Sequence, residues 1–414
     1  MSAELADNVR AYRRSAGLSQ EQLANQSELS LGTIRKVEQG GNVRIETLHA
    51  IARALNVRTS QLLASDQPEP VRDEDPNRLN LRDLRIALTP PLSLGTVELP
   101  AAEEPNLRHL GQAVHDGTIL YRSDSYRSVA SLLPKLVRSA DAAVRFYEGS
   151  EEEHRQALLA RAEALRLAGS YLTQIRQYDI AHTALTGAIS DAQNANDLLA
   201  AGSGVGIMCW LLVRQSRFDE AEQIAVSSMD RVEPTISRAS PDECAVWGGL
   251  AMEAAGAAVR NNRPGEARDY RQAANVAAAA IGTAHRNARL YWSVFGPVTT
   301  AMKALEDPMV VGDARTVLRK ASEEEALSPR SWKRLGKPSP GDQNRYALDV
   351  ARAYVRTGDS TAGMDELARL YQQSPEWLSH QASASETMEE IMQTRKRTLT
   401  AQMREVAAHL GVVA

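Results

Sequence analysis

Residues 18–40 read LSQEQLANQSELSLGTIRKVEQG. The string parses as a short helix, a tight turn and a second short helix. Ser19 is placed to cap the first helix, and Gln22, three residues on, completes a reciprocal capping box. Leu23 and Ala24 give that helix its buried face. Glu28-Leu29-Ser30 makes the turn, and Ser30 caps the second helix. Ile34 and Val37 then point inward, leaving Leu31, Thr33, Arg35 and Lys36 outside. Gly40 is the expected helix stop. A short helix presented in this way fits a DNA major groove.

The flanks extend the unit. Leu5, Val9 and Tyr12 are spaced for one face of a preceding helix that ends at Gly17. Gly40-Gly41-Asn42 reads as a loop. Ile45, Leu48, Ile51, Ala52 and Leu55 mark a fourth amphipathic helix, and Thr59 caps a short fifth one through Leu62 and Leu63. Residues 1–64 hold eight Arg/Lys against six Asp/Glu, a balance of +2 in a chain of net charge −4. A mildly basic head on an acidic body suits a small DNA reader joined to something else.

These residues resemble the Cro/cI-type (XRE) helix-turn-helix family. The likeness lies in Leu18-Ser19-Gln20-Glu21-Gln22-Leu23-Ala24, Ser30, Ile34, Val37-Glu38-Gln39-Gly40, Thr47-Leu48, Ile51-Ala52, Ala54-Leu55 and Leu62-Leu63. It implies a five-helix, lambda-repressor-like domain that binds double-stranded DNA as a homodimer on two half-sites. The family's reading positions fall on Leu31, Gly32, Thr33 and Lys36, with Arg35 beside them and Ser30 at the helix cap. Lys36 can donate to guanine and Leu31 can pack on a thymine methyl. Gln20, Asn42 and Arg44 are expected on phosphates. Arg13 and Glu38 match a charged pair that the family buries between its first and third helices.

Past residue 64 the pattern breaks. Gln67-Pro68-Glu69-Pro70, Asp73-Glu74-Asp75-Pro76 and Pro90-Pro91 mark residues 65–105 as a connector, within which Arg82–Leu88 can form a helical turn or a docking strand. Beyond it the chain reads as helical to the end, making the whole all-α. The phrases Gln177-Tyr178-Asp179-Ile180-Ala181, Arg217-Phe218-Asp219-Glu220-Ala221, Arg263-Pro264-Gly265-Glu266-Ala267 and Val311-Gly312-Asp313-Ala314 recur, with their alanines 40, 46 and 47 residues apart. A further unit follows at Thr357-Gly358-Asp359. Each phrase sits between two amphipathic helices.

This pattern resembles tetratricopeptide repeats, although the spacing exceeds their ~34 residues. The resemblance implies a right-handed α-solenoid over residues 106–382. Its first helices would line a concave face bearing Arg166, Gln174, Trp210, Arg214, Met252, Arg260, Arg352 and Arg356. A row formed by Arg214, Arg260 and Arg356 can hold a carboxylate or the carbonyls of an extended peptide; each cation near a helix C-terminus also stabilises its own helix. Met388, Met392, Leu399, Met403, Val406 and Leu410 recur at near-heptad spacing, so residues 383–414 are expected to form a helix that caps the array or pairs with a second copy.

The rest of the sequence narrows the function. Cys209 and Cys244 lie in apolar helical surroundings and read as buried thiols. Gly202-Ser203-Gly204-Val205-Gly206 has no strand before it and reads as tight helix packing. The eight histidines make no metal-binding pattern, and no nucleophile–base arrangement is legible, so neither catalysis nor a cofactor is expected. With no signal peptide and no apolar run of membrane-spanning length, a cytoplasmic protein is expected. Readers joined to such arrays resemble bacterial regulators that sense signalling peptides or small molecules. The alternative is a scaffold whose groove takes a partner protein of the anti-repressor kind.

Overall fold

A computed structural model describes residues 3–41, 43–63, 81–90, 104–287, 290, 294–395 and 398–412. Five short helices open the chain: α1 (Ala3–Ser15), α2 (Gln20–Gln26), α3 (Leu31–Glu38), α4 (Ile45–Leu55) and α5 (Thr59–Leu63). Leu5, Val9, Leu23, Ile34, Val37, Leu48, Ile51 and Leu62 converge into one core. The caps are those the residue types dictate. Ser19 and Gln22 form the reciprocal box on α2, and Ser30 accepts from the Thr33 N–H on α3. Glu28 makes the turn in a left-handed conformation (φ 56°), and Gly40 ends α3 at φ 80°.

The connector carries one described helix, α6 (Arg82–Leu88), whose Leu84 and Ala87 are buried in the core of the body. The rest of the expected connector, residues 64–80 and 91–103, lies outside the described residues.

The body is a series of paired, stacked helices. It runs through α7 (Leu107–Arg122), α8 (Tyr126–Phe146), α9 (Glu151–Gln174), α10 (Tyr178–Asn194), α11 (Leu198–Arg214), α12 (Phe218–Arg231), α13 (Pro241–Arg260) and α14 (Pro264–Ile281). Each recurring phrase falls at a turn between helices, and each turn bends through one left-handed residue. These are Arg176 (φ 61°), Ser216 (61°), Asn262 (58°), Gly312 (86°) and Gly358 (96°). The phrase alanines Ala181, Ala221, Ala267 and Ala314 are buried one turn later. Small residues let the helices approach closely: a Cβ on Gly248 of α13 would lie 2.2 Å from the Phe295 ring.

The next stretch breaks the regular pairing. His285 and Phe295 form an isolated antiparallel bridge. Short segments follow: α15 (Pro297–Lys303), α16 (Glu306–Val310), α17 (Ala314–Glu323), a 3-10 turn at Glu325–Leu327 and α18 (Pro329–Leu335). Proline opens both α15 and α18, where its missing N–H costs no helical bond.

Long helices resume with α19 (Pro340–Arg356) and α20 (Ser360–Gln373), then α21 (Pro375–Ser379), α22 (Ala382–Thr394) and α23 (Ala401–His409). The expected single C-terminal helix is thus two. Thr394 turns its hydroxyl back onto the Glu390 and Ile391 carbonyls as α22 ends, and Thr400 caps α23 by accepting from the Met403 N–H. Met388, Met403 and Val406 are buried within the chain's own main core.

The end of the array returns to its beginning. Asn344 of α19 donates to the Asp124 carboxylate at 3.2 Å, the His380 ring lies 5.8 Å from that of Tyr126, and Arg214 reaches Gln381 at 3.4 Å. One continuous core contains residues from α6–α11 and from α19–α23.

Candidate nucleic-acid interface

Helix α3 is held by its caps and by Ile34 and Val37, which are fully buried. That anchoring leaves Gly32, Arg35 and Lys36 exposed on one side, with Ser30 exposed at the cap. Thr33 is half-buried, and its hydroxyl pairs with that of Ser30 at 2.9 Å. Leu31, expected outside, is half-buried and packs on the domain core. Asn42 lies outside the described residues.

Behind α3 sits a charged joint. Arg13 Nε donates to Glu38 Oε1 at 2.5 Å and Arg13 Nη2 to Oε2 at 3.1 Å, while a third guanidinium N–H bonds the Leu18 carbonyl at 2.8 Å. Gln20 Nε2 donates to Glu38 Oε2 at 2.7 Å. The Gln20 amide, expected on a phosphate, is therefore committed inward, and what α2 offers outward is its N-terminal backbone. Burial works against ionisation of Glu38, but the hydrogen bonds from Arg13 and Gln20 outweigh it and hold the carboxyl below its usual value.

Arg44, also expected on phosphate, ion-pairs with Glu390 of α22. Glu46, in the first turn of α4, accepts from Arg352 Nη2 at 2.8 Å and lies 3.2 Å from Arg356 Nη2, both on α19. Arg58 reaches Asp219 at 3.1 Å. These contacts dock the five-helix bundle on the body through α4 and its flanks, while the exposed side of α3 stays open. Glu46 and Glu390 were not singled out from the sequence, since nothing in local spacing links residues some 300 positions apart; Asp219 was read only as part of a turn phrase.

His49 of α4 is buried at this junction. Its Nδ1 lies 3.0 Å from the Thr59 hydroxyl and its ring 6.4 Å from that of Phe218 on α12. Burial, with Arg260 nearby, pushes its pKa down to about 3. Above the unfolded value both states are neutral and the histidine has no effect on stability. As pH falls below it, the unfolded chain takes up a proton that the folded chain refuses, and stability drops. Between pH 7 and pH 5.5 this removes about 1.3 kcal/mol. Amide exchange at Val9 and Ile51 at the two pH values measures it in the whole chain. His49→Gln is expected to lose this component; an unchanged pH response in the variant would assign the acid sensitivity elsewhere.

The residues expected to line a ligand groove divide into five sets and do not form one row. Arg352 and Arg356 hold Glu46. Arg260 pairs with Glu306 and donates to the Gly256 carbonyl. Arg214 stacks on Trp210 with Arg345 on the same ring, the guanidinium carbons 5.5 and 5.2 Å from its centroid. Burial, reinforced by the positive charges of Arg345, Arg176 and Arg260, pushes Arg214 down to about 10. Gln174 lines a cleft with Tyr121, Arg122, Asp124, Arg345 and Trp377, and its Nε2 is buried without a hydrogen-bond acceptor among the described residues. Met252 lines a second cleft with Ser203, Val246, Leu250, Phe295 and Lys303. Arg166 approaches Ser203 at 3.5 Å, at the edge of that second cleft. Cys209 and Cys244 are both buried free thiols. Among the described residues no three His, Cys, Asp or Glu side chains gather as a metal site, and no helix is long and apolar enough to cross a membrane.

The capped α2–turn–α3 unit inside a five-helix bundle defines a helix-turn-helix module. Residues 9–62 match the family model described as helix-turn-helix. Control protein C.SmaI of Serratia marcescens is 45% identical over 62 residues, which are 14% of this chain and 71% of that protein. Through this N-terminal module the chain belongs to the helix-turn-helix family.

Proposed function

We propose that this protein is a sequence-specific, DNA-binding transcriptional regulator of the Cro/cI (XRE) kind, with a lambda-repressor-like reader governed by a tetratricopeptide-like body. The observation that carries the reading is the capped helix α3, anchored by Ile34 and Val37 and exposing Gly32, Arg35 and Lys36 within a module matched over residues 9–62. Lys36 and Arg35 read base edges, Gly32 admits the backbone close to them, and Ser30, Thr33 and Leu31 fix the helix. Phosphates are gripped by the backbone N–H groups at the start of α2 near Gln20 and by Asn42 and Arg44. A single module makes few contacts, so the protein acts as a homodimer on paired half-sites.

The body senses an effector, a peptide or small molecule, in its interior. Two open clefts lie along that interior. Gln174 and Met252 line one each, with Arg166, Trp210 and Arg214 between or beside them. A cytoplasmic location fits such a regulator.

The test is binding of the full chain to its own promoter DNA and to scrambled duplexes, at a fixed and stated salt concentration. Lys36→Ala is expected to relax discrimination at one base pair by about 1–3 kcal/mol while leaving binding to scrambled DNA almost unchanged. An equal loss on all duplexes would make Lys36 a phosphate contact. The absence of any duplex preference in the wild-type chain would end the reading.

A further inference from the structure

We propose that the body holds the reader in a DNA-incompetent pose, using carboxylates of α22 in place of DNA phosphates; the inference rests on the DNA-binding reading above. Three observations support it independently of one another. First, Arg44, the cation just past α3 that is positioned for backbone phosphate, is ion-paired to Glu390 of α22. Second, Glu46, two residues on, is gripped by Arg352 and Arg356 of α19, and the side chains of all three are no more than 16% exposed. This clasp is shielded from solvent, so it is screened less than a surface pair. Third, the bundle makes further contacts with a different part of the body, Arg58 to Asp219 and the His49 ring to that of Phe218. Docking is therefore fixed at two separated places, which sets an orientation as well as a contact.

The chemistry runs in one direction. A duplex lying along α3 brings a phosphate to Arg44. In the docked pose the Glu390 carboxylate already occupies that guanidinium, and Glu386 adds a second negative charge on the same helix, close enough to Arg352 and Glu46 to interact with them. Phosphate must displace one carboxylate and approach another. The open side of α3 is untouched, so the block acts on backbone affinity and not on base reading. The remaining charges around the clasp are Asp349, on α19 beside Arg352, and Arg260 with Glu306. When Glu46 leaves, Asp349 keeps Arg352 engaged, whereas Arg356 gives up its ion pair.

Two changes on the body side test this without touching the reader. Glu390→Gln removes the phosphate surrogate, and Arg356→Gln weakens the clasp on Glu46. Each is made in the full chain, and the affinity is measured for a duplex enriched from a random pool and for a scrambled duplex. Docking is followed separately by amide exchange in the first turn of α4. Glu390→Gln is expected to tighten binding to both duplexes at least tenfold, keeping the ratio between them. Arg356→Gln is expected to raise exchange in α4 and to tighten binding as well. Arg356→Lys, which keeps the positive charge, is expected to leave exchange and affinity closer to the wild type than Arg356→Gln does. Faster exchange in α4 with no gain in affinity would overturn the proposal, as would weaker binding by Glu390→Gln. Failure of every variant and of the wild type to prefer any duplex would instead overturn the DNA-binding reading.

Discussion

Glu38→Ala is expected to destabilise the N-terminal bundle by about 3–5 kcal/mol, the cost of stranding a buried charge. Its side chain is 3% exposed and that of Arg13 11%. With the carboxylate gone, the Arg13 guanidinium keeps only the Leu18 carbonyl, and the Gln20 amide loses its acceptor. A bundle of some 60 residues is marginally stable to begin with. A loss of this size populates the unfolded reader while the body stays folded. Amide exchange at Val9, Leu23 and Ile34 is expected to rise by two orders of magnitude or more, and DNA binding to fall in step on every sequence. Arg13→Met combined with Glu38→Leu is expected to recover most of the stability, because no lone charge is left buried. If Glu38→Ala shifts exchange less than tenfold, the joint does not hold α1, α2 and α3 together. Gln20→Ala follows the same logic on a smaller scale, since it removes one hydrogen bond to a charged group, worth about 1.5–3 kcal/mol.

How much of this was legible in the sequence depended on the range of the interaction. Ser19, Gln22 and Ser30 cap helices by bonding three residues away, so their roles follow from spacing alone. The turn phrases were legible for the same reason: a left-handed residue and a buried alanine are local requirements of each helix pair. The run from Ser383 to Leu410 was read as one helix because apolar spacing survives a turn, and the break depends on hydroxyl contacts of Thr394 and Thr400 that periodicity does not encode. Site residues followed the same division. Register placed Arg35 and Lys36 outside and Ile34 and Val37 inside, whereas Leu31 sits at a helix start where the neighbouring helix decides its burial. Arg44 was read as a phosphate contact, and Arg352 and Arg356 as lining a ligand groove. Their anions, Glu390 and Glu46, come from the other end of the chain, and a row of arginines at repeat spacing carries no information about which acid folding delivers to it.

The contact that closes the body on itself leads to the second large effect. Asp124 turns the chain between α7 and α8 at φ 58°. Its carboxylate accepts from the Tyr126 hydroxyl at 3.1 Å and from Asn344 Nδ2 at 3.2 Å, both donors being buried. Burial pushes its carboxyl up, so the ionised form is held against desolvation by these donors together with Ser374. In Asp124→Ala the Tyr126 hydroxyl loses its acceptor and Asn344 keeps only the Ser374 hydroxyl, at 2.9 Å. A buried donor left unsatisfied costs about 1–3 kcal/mol, and alanine pays a further 1–2 kcal/mol in the left-handed region. Removing an already disfavoured charge offsets part of this, leaving a net loss of about 3 kcal/mol. Because Asn344 and Ser374 belong to the end of the array and Asp124 to its beginning, the loss falls on the closure. Exchange is expected to rise at the start of α19 and in α21 while α12–α14 stay protected. Asp124→Asn, which keeps an acceptor and tolerates the same backbone, is expected to cost under about 1 kcal/mol. The cleft holding Gln174 is walled on one side by Tyr121, Asp124 and Tyr126 and on the other by Ser339, Gly341, Arg345 and Trp377, so loosening this closure parts its walls. If Asp124→Ala instead loosened α12–α14 equally, the body would open as one cooperative unit, and its end-to-end contact would not be a separable gate.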